Sequence, residues 1–205
     1  MPRSKNISNH SAKRLRKFVF LACVLLVFEV GCGRPFNVKT ATVPAAASYA
    51  SKAMVDSVSV EAQAVTDEDF LYDNFDANLI SAGVIPVRVR LTNASTESRV
   101  GKDARFELEA QNKRYKAVEP KKAFKRLISY YGVSLYSKSG YRESLGAFGS
   151  HSLDLATPLP AGESRQGLVF FLVPSDSARQ TGLTLLVDRL VGKPGGGSPT
   201  ALKLN

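Results

Sequence analysis

Apolar and polar positions alternate with period two over much of the chain. Val58, Val60, Ala62 and Ala64 alternate with Ser59, Glu61 and Gln63; Ile85, Val87, Val89 and Leu91 alternate with Pro86, Arg88 and Arg90. Phe106, Leu108 and Ala110 do the same with Arg105, Glu107 and Glu109. Each segment offers one face to a core and one to water, as antiparallel strands do. Tyr115 and Ala117 continue after an Asn112-Lys113 turn, which predicts a hairpin. Residues 167–173 (GLVFFLV) are apolar on both faces and predict a central, fully covered strand, and 183–187 (LTLLV) close the set. Asn93-Ala94-Ser95, 158–162 (PLPAG) and Pro174-Ser175-Asp176 supply turns between them. Six or seven short strands at this spacing predict a mainly β fold, an antiparallel β-sandwich.

The period changes at 120–131. Pro120 stands at a first-turn position, Phe124, Leu127, Ile128 and Tyr131 recur at three-to-four spacing, and Gly132 marks the stop. This predicts one amphipathic helix inserted between strands. Residues 67–80, with Phe70, Leu71, Phe75 and Leu79, predict a shorter helical turn.

Two further segments carry a resemblance. Val84-Ile85-Pro86-Val87-Arg88-Val89-Arg90-Leu91-Thr92-Asn93 resembles a strand that leads into a turn, and Leu159-Pro160-Ala161-Gly162-Glu163 resembles the turn before a second strand, here Gly167-Leu168-Val169-Phe170-Phe171. The pair is similar to an immunoglobulin-like module of bacterial lipoproteins and exported proteins, covering about 55–190. The resemblance implies a binding or structural role and no transferable catalytic residue. The inserted helix is unusual for that module.

The amino-terminal region predicts an address. Residues 1–17 are polar and basic without an acid, and 18–28 (FVFLACVLLVF) form an apolar run ended by Glu29. Eleven residues fall short of the roughly 20 that span a bilayer, but they fit the apolar core of a secretory signal. Val30-Gly31-Cys32-Gly33 follows and resembles the lipobox of bacterial lipoproteins. That resemblance implies cleavage after Gly31, diacylglycerol on the Cys32 thiol, and acylation of the new amino terminus. Glu29 departs from the family, which has an apolar residue there. Cys23 would leave an apolar core too short for the signal. Gly33, rather than Asp, after the lipidated cysteine resembles the outer-membrane default.

These boundaries predict a signal peptide over 1–31, lipidated Cys32 and a flexible tether over 32–52, a β-sandwich domain over 53–191, and a flexible Gly/Pro-rich tail over 192–205. The net charge of +10 divides evenly in an informative way: 1–31 hold six basic residues and one acid, leaving 22 and 17 for the rest. Half of the basicity belongs to the signal, and nucleic acid is not an expected partner. Beyond Cys32 there is no cysteine, so the domain has no disulfide, no thiol nucleophile and no thiolate metal site.

Few residues carry candidate chemistry. His151 is the sole histidine after Cys32, flanked by Ser150 and Ser152 with Asp154 nearby, yet no G-x-S-x-G elbow accompanies it. It reads as a loop histidine. Asp67, Glu68, Asp69, Asp73 and Asp76 form an acidic cluster, but Tyr72 and Asn78 stand where a calcium loop needs Gly and Glu. Pro194 follows Gly192-Lys193 where a phosphate loop needs Ser or Thr, so this is a linker. Lys113, Arg114, Lys116, Lys121, Lys122, Lys125 and Arg126 form a basic stretch interrupted by Glu119 alone.

The expected protein has no catalytic residue, metal or cofactor. It is a lipid-anchored, extracytoplasmic structural or interaction module in a bacterial envelope, on the periplasmic face of the outer membrane. Its expected partners are the membrane through the lipid, and an envelope protein or anionic polymer. The alternative is a binder of anionic headgroups or envelope polymers through 113–126, with Lys121, Lys122, Lys125 and Arg126 as contacts. A hydrolase of envelope polymers built on His151 is a third reading.

Overall fold

The computed structural model describes residues 35–42, 49–99, 103–133, 136–174, 182–190 and 198–204. Cys32, Gly31 and the signal region lie outside the described residues. Eight strands are present: β1 (Ser51–Val55), β2 (Val58–Ala64), β3 (Val84–Asn93), β4 (Arg105–Ala110), β5 (Lys113–Val118), β6 (Ser164–Leu172), β7 (Thr184–Asp188) and β8 (Thr200–Lys203). The helices among the described residues are α1 (Glu68–Phe75), α2 (Pro120–Tyr131) and α3 (Lys138–Ser150).

The strands form one antiparallel sheet in the order β1-β2-β3-β6-β5-β4-β7-β8. The alternation read from the sequence sets its register. Val60 lies opposite Leu91, Ala62 opposite Val89, Val87 opposite Val169 and Ile85 opposite Phe171, all facing the core. In the other half, Leu108 lies opposite Leu185 and Leu185 opposite Leu202. Only Ala117–Phe171 and Val118–Phe170 join β5 to β6. The edge strands β1 and β8 approach each other, so the sheet nearly closes into a barrel around its apolar interior. The fold is therefore mainly antiparallel β.

The apolar run 167–173 is covered on both sides, as expected. Val169 and Phe171 face the interior, while Phe170 lies on the outer face and stacks on Phe148 of α3 at 4.8 Å. Phe148 also contacts Phe124 of α2 at 5.4 Å, so the helical insertion shields the outside of β6 from water. Pro120 opens α2, and Gly132 closes it at φ 63° by donating to the Ile128 carbonyl. The 67–80 pattern forms α1, started by Asp67, whose Oδ1 accepts from the Phe70 amide at 2.9 Å.

Three expectations are corrected. The insertion contains two helices rather than one: Tyr141, Leu145 and Phe148 of α3 pack inward despite its glycines and serines. The stretch 192–205 does not remain a tail throughout, because β8 pairs with β7 and buries Leu202 and Leu204. The tether 32–52 does not remain free either. Ser51 and Lys52 belong to β1, and 35–42 form a strap against the domain with Phe36 and Val38 buried. In the last two cases two apolar side chains at alternate positions, Leu202 with Leu204 and Phe36 with Val38, outweigh the small polar residues around them.

Candidate ligand site

Below the point where α3 ends, the outer face of β3 and β6 is left open. Register places Arg88 beside Leu168, and Arg90 beside Gln166, on that face. Phe70 and Asn74 of α1 form one wall, Ser150 and His151 another, and Ala41 and Thr42 of the strap lie across the opening. The result is a cavity of about 550 Å³, a size suited to a small molecule. Three arginines and one histidine line it, with no aspartate or glutamate.

The arginines differ in what they are free to do. Arg165 is held by the carbonyls of Asp154, Thr157 and Pro158. Arg90 stacks 4.7 Å from the Tyr49 ring and donates to Glu61 Oε2 at 3.4 Å and Gln166 Oε1 at 3.3 Å. Arg88 rests over Phe70, 5.1 Å from the ring centre, and has no hydrogen bond or carboxylate partner among the described residues. A guanidinium in a partly desolvated cavity without a counterion is a ready receptor for a planar anion.

His151 is buried at the end of α3, not displayed on a loop. Its Nε2 lies 2.8 Å from the Lys39 carbonyl, which can only accept, so Nε2 carries the proton. Burial holds the imidazole pKa below its usual value, while the bond to Lys39 opposes that shift. Its ring leans on Phe75 at 4.6 Å. Ser150 Oγ donates to the Ala147 carbonyl at 2.6 Å and accepts from the Ala41 amide at 2.9 Å. Asp154 Oδ1 caps Ala156 and Thr157, and hydrogen bonds from Thr157 hold its carboxyl below the usual range. Ser150, His151 and Asp154 are therefore divided among structural tasks, while the Ser152 hydroxyl is buried without a hydrogen-bond partner among the described residues.

The remaining candidates lie elsewhere. Lys121, Lys122, Lys125 and Arg126 are exposed on α2, away from the cavity lining. Among the described residues the three lysines have no ion pair, while Arg126 Nε donates to the Ala82 carbonyl at 2.9 Å. The acidic cluster is absorbed into local structure: Asp67 caps α1, Asp76 Oδ2 accepts from the Asn37 amide, and Glu68 Oε1 accepts from Asn78 Nδ2. No three His, Cys, Asp or Glu side chains converge as metal ligands among the described residues. Nor is any described helix long and apolar enough to cross a membrane.

Sequence reasoning missed the Arg88 cavity. Arg88 and Arg90 read as the solvent face of a half-buried strand, and only the position of α1 and the strap turns that face into a pocket. No family model, curated protein or solved structure matches the chain.

Proposed function

We propose that this protein is a lipid-anchored extracytoplasmic binding module that takes a small carboxylate- or phosphate-bearing ligand between Arg88 and Arg90. The observation that carries this reading is the Arg88 guanidinium, stacked on Phe70 without a counter-charge among the described residues, inside a cavity to which those residues contribute no acid. The reading is binding rather than catalysis: the Ser150 hydroxyl and the Asp154 carboxylate are held by backbone partners. The lipid anchor rests on the resemblance around Gly31 and Cys32, and the outer-membrane placement on Gly33.

The immunoglobulin-like character of the domain belongs to the same proposal. It is supported by the meeting of the two segments that carry the resemblance: the Gly162 amide donates to the Asn93 carbonyl at 2.9 Å, and the Asn93 amide to that of Glu163 at 3.0 Å.

Two measurements test the proposal. An alkyne fatty acid fed to the cells labels the wild-type chain and not Cys32→Ala; labelling of neither defeats the anchor. Succinate and inorganic phosphate raise the melting temperature of the wild type, since a ligand of the folded state alone stabilises it by mass action. A melting temperature indifferent to a broad panel of such anions defeats the pocket.

A further inference from the structure

The strap fixes how far the domain can stand from its anchor. Phe36 is buried against the Tyr131 ring at 5.6 Å, and its amide donates to the Tyr136 hydroxyl at 2.8 Å. The strap continues to Ala41 through the Asn37, Lys39 and Ala41 hydrogen bonds. Four peptide units separate Phe36 from Cys32, a reach of about 14 Å when fully extended. A chain anchored at Cys32 therefore cannot place a membrane far from the surface that surrounds Phe36.

That surface has the composition of a membrane contact. Tyr72, Tyr130 and Tyr131 are among the most exposed large side chains of the described residues, at 52%, 48% and 36%. Tyr130 and Tyr131 pack edge to face at 4.9 Å. Lys122, Arg126 and Tyr130 follow one another at intervals of four on α2, which aligns them along one ridge of the helix. On α2, Tyr130 has Lys122 and Arg126 beside it, a combination that suits the headgroup zone, where the ring settles at the interface and the cations meet lipid phosphate, whereas Tyr72 stands on α1 among Glu68, Asp69 and Asp73.

The geometry points to an oriented lipid contact: the Lys122–Arg126–Tyr130 ridge of α2, with Tyr131, lies on the anionic headgroups of the membrane that holds Cys32. The inference rests on the anchor reading above and adds an orientation to it. The domain then lies against the bilayer through this face, instead of swinging on a loose tether.

The chain has no tryptophan, so one introduced indole reports its own surroundings. Full-length Tyr130→Trp is expressed in bacteria and purified. It is reconstituted in phosphatidylglycerol nanodiscs with and without bromine on the acyl chains. Met54→Trp, at an exposed position of β1 outside the proposed contact, serves as the comparison probe. Mass spectrometry of the same samples reads the modification of Cys32. The expected result is acylated Cys32, with bromolipid quenching several-fold stronger at position 130 than at 54. Acylated Cys32 with equal or negligible quenching at both positions overturns the orientation and leaves the anchor standing. Unmodified Cys32 overturns both.

Discussion

The imidazole of His151 donates from Nε2 to the carbonyl of Lys39 across 2.8 Å, joining the end of α3 to the amino-terminal strap. Through this contact a single buried ring helps hold the wall and the cover of the Arg88 cavity together.

This contact makes stability depend on pH. The buried imidazole has a lowered pKa, so the unfolded chain binds a proton more readily than the folded one. Above the unfolded value of 6.5 both states are neutral and the contribution is constant. Below it stability falls, levelling off only once the pH passes the folded value. Urea unfolding between about pH 7.5 and 5 should show that loss, and His151→Gln should reduce it while keeping a donor for Lys39. An equal pH slope in the variant would count against the assignment.

Asn93 supports a different junction. Its Nδ2 donates to the carbonyls of Glu97, Leu159 and Pro160 at 2.7, 2.9 and 3.1 Å, and its side chain is fully buried. Asn93→Leu preserves volume but orphans these acceptors, with an expected loss of about 3 kcal/mol. Asn93→Asp should cost more, because a carboxylate would face the carbonyls without a donor. Urea midpoints with unchanged slope would measure both, and a midpoint shift near zero would refute the role.

Gly167 is where the outer wall meets β6. A Cβ there would lie within 2.7 Å of three backbone atoms of Ser152 and Leu153. Gly167→Ala must push this segment away and weaken the bonds from Leu153 to Leu168 and from Leu168 to His151, at 3.0 and 2.7 Å. A loss of about 2–4 kcal/mol is expected, together with faster amide exchange at Leu153 and Leu168. An unperturbed melting curve would contradict this packing.

Much of this architecture is legible from period. Strands β2, β3 and β4 follow from alternation, because one apolar face per strand decides register, and the covered β6 follows from its unbroken apolar run. Helix α2 follows from Pro120, its apolar spacing and Gly132. Helix α3 is harder to read: Gly140, Gly146 and Gly149 weaken its intrinsic propensity, and Phe148 packing against Phe124 and Phe170 overrides it. The strap and β8 escape local reading because Phe36, Val38, Leu202 and Leu204 find their partners only in the assembled sheet. The hairpin turn is displaced by one position, with Gln111 and Asn112 at φ 52° and 58°. The cavity is a tertiary product, since nothing local to Arg88 reveals that Phe70 will lie beneath it.

Isothermal titration reads whether Arg88 receives an anion. Succinate, citrate and inorganic phosphate are titrated into the wild type, Arg88→Met, and a Lys121→Ala/Lys122→Ala/Lys125→Ala control. The anion bound by the wild type should bind Arg88→Met about 10- to 100-fold more weakly, the loss of a charge-assisted contact, with the control unchanged. Equal affinity in the wild type and Arg88→Met, or weakening in the lysine control alone, would contradict it.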